Sequence, residues 1–183
     1  SYEVGLVVIS DVEGKNGEYR EVREEIKKQK IKVVEPMAGD RLRVGSLEFD
    51  VLSPDLERLK EAGVDMGDTN NWSVVSLFRY GKFEAMLTGD ATNEVEAIML
   101  AQGIVSTVEV LKVGHHGSKY SSGEAWLEAL NPKLAVIQVG KNNYGHPTEE
   151  VLDRLKALGI KIMRNDTQGE IEVSTDGNKW WVR

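Results

Sequence analysis

The chain of 183 residues contains no cysteine and only three histidines. The lack of cysteine excludes a disulfide framework, a thiolate metal site and a thiol nucleophile. No run of about 18 apolar residues occurs, so the sequence predicts no transmembrane helix. The chain opens Ser1-Tyr2-Glu3-Val4, without the basic segment of a signal peptide. We therefore expect no signal peptide, and we expect this opening to lie inside a larger domain.

Basic residues are also fewer than acidic ones. Lysine and arginine total 23, against 30 aspartates and glutamates, so the net charge is −7. A domain that holds nucleic acid by its phosphate backbone is usually basic. Any contact of this chain with nucleic acid is therefore expected to be local or metal-assisted, or to depend on another part of a larger protein.

Hydrophobic residues make up 40% of the chain, which suffices for one packed domain over residues 1–183. Short β-rich runs alternate with amphipathic segments, which predicts an α/β protein with mixed sheets. The predicted hairpins pair 41–44 with 47–52, 73–79 with 82–87, and 170–175 with 179–182. The other predicted strands are 4–9 (buried), 31–35, 108–113, 133–139 and 160–163. The predicted helices are 18–30 (charged and exposed), 93–100, 122–130 and 148–158 (capped by Thr148).

Three loops that follow predicted strands carry the residues best suited to chemistry. They contain Asp90, the adjacent pair His115 and His116, and His146. Strand ends are where a rigid sheet presents functional side chains. Carboxylate and imidazole groups suit Zn²⁺, Mn²⁺ or iron, and a carboxylate can bridge two metals in phosphoester hydrolysis. Glycines beside the paired histidines let the backbone turn and admit a ligand closely.

Each of these residues also has a purely structural interpretation. Asp90 could be a helix N-cap after Gly89, because aspartate is favoured there. His115 and His116 could form a turn with one ring buried and one exposed. His146 could be an ordinary loop residue before Pro147. The serines after the paired histidines, Ser118 among them, could cap the next helix or contact a phosphate.

Taken together, three strings are specific to one family. They are LTGDA at 87–91, VLKVGHHGS at 110–118 and VGKNNYGHP at 139–147. This combination closely resembles the metallo-β-lactamase-like domain at the C-terminus of ComEC-type competence proteins. The strongest similarity spans residues 70–175, and the earlier part of the chain matches more loosely.

The resemblance implies an αββα sandwich, incomplete at its N-terminus, with a metal site at one edge. Asp90 would be the bridging carboxylate. One of His115 and His116 would bind metal; His116 is favoured, with His115 facing a substrate phosphate. His146 and Ser118 would lie near the substrate, and the cofactor would be a divalent metal, zinc or manganese.

The sequence departs from the family pattern in two places. The cluster His-x-His-x-Asp-His, the first set of metal ligands in the superfamily, is absent from this chain. Asn70, Asn71 and Ser73 occupy the region where many relatives have another histidine. We therefore expect that the N-terminal part of the domain is missing, and that this chain binds metal weakly and is inactive alone.

Two functions of different kinds follow. In the first, the intact domain is a metal-dependent phosphodiesterase, a nuclease that degrades the DNA strand a competence channel does not import. Its partners would be single-stranded DNA and the rest of a bacterial plasma-membrane protein, with the side of the membrane left open. Other phosphodiesters are alternative substrates. In the second, the domain is a non-catalytic scaffold or interaction module, and an uncovered N-terminal edge favours a homodimer.

Overall fold

The computed structural model describes residues 3–10, 12 and 17–183. Its strands are β1 (Leu6–Val8), β2 (Lys32–Val34), β3 (Arg41–Val44), β4 (Leu47–Ser53), β5 (Val75–Tyr80), β6 (Phe83–Leu87), β7 (Val110–Lys112), β8 (Leu134–Ile137), β9 (Lys161–Arg164), β10 (Val173–Thr175) and β11 (Trp180–Val182). Its helices are α1 (Gly17–Lys28), α2 (Leu56–Glu61), α3 (Asn93–Ala101), α4 (Glu124–Leu130), α5 (Glu149–Ala157) and α6 (Asn165–Gln168). Short 3₁₀ turns cover Thr69–Trp72 and Gly114–Gly117.

A seven-stranded mixed sheet runs through the molecule in the order β3-β4-β5-β6-β7-β8-β9. The first four strands pair antiparallel, and β6 through β9 pair parallel. Leu87, Lys112 and Val136 lie side by side in register near the ends of β6, β7 and β8. The loops that follow these three parallel strands therefore leave the sheet at one edge.

The two faces of the sheet are covered differently. On one face, Leu77, Met86 and Leu111 join a core with residues of α3, α4 and α5, including the fully buried Trp126. On the other face, Phe83, Ala85, Val110 and Leu134 form a second cluster with residues of the β10–β11 hairpin. Alternate strand residues point to opposite faces, which is why Ala85 and Met86 belong to different clusters.

This architecture confirms the predicted α/β fold with a mixed central sheet. The predicted hairpins are present as β3–β4, β5–β6 and β10–β11. Helices, the central sheet and the terminal hairpin form successive layers.

One local prediction is wrong, one structural interpretation of Asp90 is excluded, and the predicted cap of α5 is present without its hydrogen bond. The first strand, predicted to be buried, pairs only with β2 in a two-stranded parallel sheet, and Leu6 and Val8 are 42% and 41% exposed. Asp90 is not a helix N-cap, because α3 begins later and Thr92 holds that position. Thr148 does occupy the N-cap of α5, but its side chain makes no capping hydrogen bond.

None of the helices described for residues 3–10, 12 and 17–183 combines the length and the apolar character needed to cross a bilayer.

Candidate metal centre

Asp90 and His116 meet at the edge of the sheet where β6 and β7 end. Asp90 lies three residues beyond β6 and His116 four residues beyond β7. Because these strands are parallel neighbours, their following loops converge. The His116 Nε2 atom lies 3.8 Å from the Asp90 Oδ1 atom, and both side chains are partly exposed to solvent.

The turn that presents the histidines has an unusual backbone. His115 and His116 have φ values of 46° and 54°, and Gly117 follows with a φ of 86°. Three successive residues are thus in the left-handed region, which costs a residue with a side chain about 1–2 kcal/mol. Strain of this kind is concentrated at functional sites, because the surrounding structure must stabilise it.

Packing and hydrogen bonds hold this turn in place. The His115 backbone N–H donates to the Gly89 carbonyl, at 3.1 Å, and the Thr148 N–H donates to the Gly117 carbonyl, at 2.9 Å. A Cβ atom on Gly117 would lie 2.5 Å from the Pro147 Cβ atom. The sequence predicts that a glycine beside the paired histidines permits a turn and a close approach, and Gly117 does both.

A backbone carbonyl fixes the orientation of the His116 ring. The Gln138 carbonyl oxygen, just beyond β8, lies 2.6 Å from His116 Nδ1. Because a carbonyl only accepts, Nδ1 carries a proton and donates it, and Nε2 is left as the atom that faces Asp90. Metal-binding histidines are commonly oriented by such a contact at the second ring nitrogen.

One neighbour of Asp90, Lys112, was missed as a site residue in the sequence. Lys112 donates from Nζ to the Gly89 carbonyl, at 2.8 Å, and its Nζ lies 3.9 Å from Asp90 Oδ1. Burial lowers the pKa of Lys112, and the nearby Asp90 charge partly opposes that shift. The available signal was a lysine inside the otherwise apolar run 110–113.

The 3₁₀ turn at 69–72 supports Asp90 from the other side. The Ser73 hydroxyl accepts from the Asp90 backbone N–H, at 3.0 Å. The buried Asn71 accepts from the Thr92 hydroxyl through Oδ1, at 2.6 Å. Ser73 and Asn71 thus fix the backbone around Asp90.

His146 is held by its own loop. Asn142 accepts from the His146 backbone N–H, at 3.1 Å, and donates from Nδ2 to the His146 carbonyl, at 2.8 Å. The imidazole ring lies 5.5 Å from the His115 ring. Burial lowers the pKa of His146, the charges of His115 and His116 lower it further, and Asp90 opposes the shift.

His115 lies between the other two histidines. Its ring centroid is 6.5 Å from that of His116, and its Nδ1 atom is buried with no hydrogen-bond partner in the part of the chain that is described. An unsatisfied buried polar atom costs about 1–3 kcal/mol, and native structures tolerate such atoms chiefly at functional positions.

Ser118 closes the turn from inside the protein. Its backbone N–H donates to the His115 carbonyl, at 2.9 Å, and its hydroxyl accepts from the Tyr120 N–H, at 3.3 Å. The side chain is buried. The contact of Ser118 with a substrate remains a prediction.

Two charged side chains from the helices hold the segment after the turn. Glu96 of α3 is 1% exposed and accepts from the backbone N–H groups of Ser122, at 2.6 Å, and Gly123, at 2.9 Å. Arg154 of α5 donates to the Ser122 carbonyl, at 2.7 Å. Burial raises the pKa of Glu96 to about 7, against the opposing effects of the two N–H donors and Arg154.

Two clefts open beside these residues. One, of about 570 Å³, is lined by Asp90, Asn70, Ser73 and residues of α1. The other, of about 420 Å³, is lined by His115, Tyr120, Asn70 and neighbouring polar residues. Asn70 lines both clefts. Asp90 lines the first cleft and His115 the second, so a ligand in either cleft contacts one predicted site residue.

Asp90 and His116 fit two ligands of a metal ion. Two acceptor atoms 3.8 Å apart favour a proton or a cation between them, and bonds from zinc to nitrogen or oxygen measure about 2.0–2.2 Å. However, among residues 3–10, 12 and 17–183, no group of three or more acidic, histidine or cysteine side chains could hold a metal. A catalytic zinc site uses about three protein ligands and a water, so this pair supplies part of a site.

The fold and the candidate site define a mixed α/β domain with a carboxylate and imidazoles beyond the ends of its parallel strands. ComE operon protein 3 of Bacillus subtilis (strain 168) is 38% identical over 143 residues, which cover 78% of this chain and 18% of that protein. Competence protein ComA of Neisseria gonorrhoeae is 37% identical over 120 residues, covering 64% and 17% respectively. The chain is therefore similar to one part of these competence proteins, which identifies it as a ComEC-type metallo-β-lactamase-like domain.

The chain matches less than one fifth of the length of these two relatives. Among solved structures, CmlA, a diiron β-hydroxylase from Streptomyces venezuelae, aligns with a TM-score of 0.49 and 14% identity, over 76% of this chain and 35% of that one. No protein-family model matches the chain.

Proposed function

We propose that this chain is part of a metal-dependent phosphodiesterase domain that cleaves DNA. The observation that carries the proposal is the approach of His116 Nε2 to Asp90 Oδ1, at 3.8 Å, with the other His116 nitrogen held by the Gln138 carbonyl. This leaves a carboxylate oxygen and an imidazole nitrogen aimed at one point on an accessible edge.

Each residue at this edge has a distinct part in the proposal. Asp90 and His116 hold a divalent metal, zinc or manganese, which when bound polarises a phosphoryl oxygen and activates water. His115 and His146, next to the pair, contact the phosphate that is cleaved. Burial lowers the pKa of His146, which favours the neutral ring, and a neutral ring can both accept and donate a hydrogen bond.

The setting of this chemistry is also a proposal. The domain belongs to a membrane protein that takes up DNA, and it degrades the strand that is not imported. The remaining metal ligands of the domain come from residues other than Asp90 and His116. By itself, the 183-residue chain binds metal weakly and does not cleave DNA, because two ligands hold an ion less tightly than a complete set.

The test is DNA cleavage by the full product of the gene, with and without added Mn²⁺ or Zn²⁺. Asp90→Ala and His116→Ala are each expected to reduce metal-dependent cleavage by at least about tenfold, since even the loss of a residue that only orients a ligand costs that much. Circular dichroism and thermal unfolding establish that both variants remain folded.

Asp153→Ala is the matched control for this test. Asp153 is an exposed aspartate on α5 that forms an ion pair with Lys156, a neighbour on the same helix. Cleavage by this variant should equal that of the wild type. Unchanged cleavage by folded Asp90→Ala would refute the site, and metal-independent cleavage would refute the mechanism.

A scaffold or interaction module is the second candidate function. It is favoured by the lack, within the described residues, of any group of three possible metal ligands. It predicts that the full gene product has no metal-dependent cleavage of DNA or of other phosphodiesters. In that case a homodimer through the exposed β1 edge, detected by light scattering, would become the main expectation.

A further inference from the structure

Tyr144 is the most exposed large side chain near the histidines, at 83%. Its ring stacks on His146, with centroids 6.0 Å apart and planes inclined by 29°. One face of the tyrosine therefore rests on a site histidine, and the remainder of the ring is open to solvent. Covering such a ring with a planar ligand removes apolar surface from water, which favours binding.

The loop that carries Tyr144 is held in shape by hydrogen bonds. The Asn142 Oδ1 atom accepts from the Tyr144 backbone N–H, at 3.0 Å, and from the His146 N–H. Asn142 Nδ2 in turn donates to the Gly140 and His146 carbonyls, at 3.0 and 2.8 Å. A ring fixed in advance loses little conformational entropy when a planar ligand stacks on it.

Tyr144 is also the outer end of a row of rings that leads to Asp90. Successive centroids lie 6.0 Å apart from Tyr144 to His146, 5.5 Å from His146 to His115, and 6.5 Å from His115 to His116. His116 then faces Asp90. A planar group on Tyr144 would thus continue the row outward, and its attached phosphates would lie near the histidines.

The charge of the chain limits how a polyanion can be held here. With a net charge of −7, the chain as a whole repels a polyanion, so neutralisation of phosphates can contribute only locally. Stacking needs no positive charge, and each base stacked on an aromatic side chain contributes about 1–3 kcal/mol. Base stacking is therefore the contribution to affinity that this site can supply without its metal.

We propose that Tyr144 is a stacking platform for an unpaired nucleobase, and that it selects single-stranded over double-stranded substrate. In a duplex, both faces of each internal base are already stacked, so only an unpaired or terminal base can cover the tyrosine. The inference deepens the proposed function and rests on it, because it places the base beside the phosphodiester to be cleaved.

The test is binding of a fluorescein-labelled oligothymidylate of about twelve nucleotides to the 183-residue chain, followed by anisotropy at low salt in EDTA. Tyr144→Ala should weaken binding about 5- to 150-fold, which is the stacking contribution expressed as an affinity ratio. Tyr144→Phe keeps the ring and should bind as the wild type does. Trp181→Ala is the matched control, because Trp181 is a half-exposed aromatic residue on β11, outside the row.

An abasic oligonucleotide of the same length separates stacking from every other contact. The wild type should bind it more weakly than oligothymidylate, and Tyr144→Ala should lower that affinity no further. Thymidine monophosphate, added as a competitor, distinguishes binding of a free nucleotide from binding of a strand. If it displaced the labelled oligothymidylate as well per base as an unlabelled strand does, Tyr144 would bind mononucleotides, and the proposed selection of a strand would be overturned. No binding by the wild type, equal binding by Tyr144→Ala, or equal loss on the abasic strand would overturn the inference.

Because this binding is measured without metal, it is independent of cleavage. Weaker binding by Tyr144→Ala, together with unchanged cleavage by Asp90→Ala, would refute only the proposed function. Unchanged binding by Tyr144→Ala, together with reduced cleavage by Asp90→Ala, would refute only the stacking platform.

Discussion

Gly117→Ala should lower the free energy of unfolding by about 2–5 kcal/mol, because two costs add. The φ of 86° at this position costs an alanine about 1–2 kcal/mol. The new methyl group would also lie 2.5 Å from the Pro147 Cβ atom, and relieving such a contact costs about 1–3 kcal/mol. Urea unfolding followed by circular dichroism measures the sum.

Two other glycines separate these costs. Gly145 has a φ of 75° but nothing within 4 Å of an added Cβ, so Gly145→Ala should show the strain alone. Gly140 has neither a positive φ nor a close neighbour, so Gly140→Ala should lie within about 0.5 kcal/mol of the wild type. If Gly117→Ala were no worse than Gly145→Ala, the contact between the two histidine loops would be absent in solution.

Glu96→Gln should remove a pH dependence of stability that the wild type has. Burial raises the pKa of Glu96 to about 7 in the folded chain, from 4.5 for a solvated glutamate. Between these pH values the folded state keeps the proton and the unfolded state has released it. The contribution of Glu96 to stability is therefore greatest below pH 4.5 and declines by about 3 kcal/mol as the pH rises through 7.

The measurement is urea unfolding of the wild type and Glu96→Gln at several values between about pH 5 and pH 8. The pKa of His146 is lowered in the folded state, so its contribution to stability changes with pH in the opposite direction. Because both proteins contain His146, this contribution cancels in the difference between their free energies of unfolding. Glu94→Gln, an exposed position on the same helix, is the control and should parallel the wild type. A difference between wild type and Glu96→Gln that stays constant with pH would contradict the raised pKa.

Much of the fold could be predicted because local pattern and tertiary structure agree. The hairpin around Gly45 and Ser46 and the one around Tyr80 and Gly81 each separate two runs of strand-forming residues, and both are present. The position of Asp90 and the histidines beyond the ends of strands could be predicted, because each of these residues follows a predicted strand. The burial of β1 was misjudged, because an apolar strand is buried only when another layer covers it. In the structure β1 forms a two-stranded sheet with β2, and its side chains stay largely exposed.

The details of the site depended on contacts that sequence spacing does not encode. Which of the two adjacent histidines faces Asp90 is determined by left-handed backbone at both residues and by the carbonyl of Gln138 on a different strand end. Glu96 was not predicted to be buried, because a glutamate in a helix is usually solvated. Its partners are backbone N–H groups 26 and 27 residues away in sequence.

The central claim is that Asp90 and His116 form one metal-binding point. The most direct test is titration of the ¹⁵N-labelled chain with Mn²⁺, which broadens NMR signals near the bound ion even when binding is weak. The amide signals of Asp90 and His116 should broaden at lower Mn²⁺ concentrations than those of the exposed carboxylates Asp153 and Glu25, and His116→Ala should abolish that preference. Equal broadening at Asp90 and Asp153, or a preference that survives in His116→Ala, would contradict the claim.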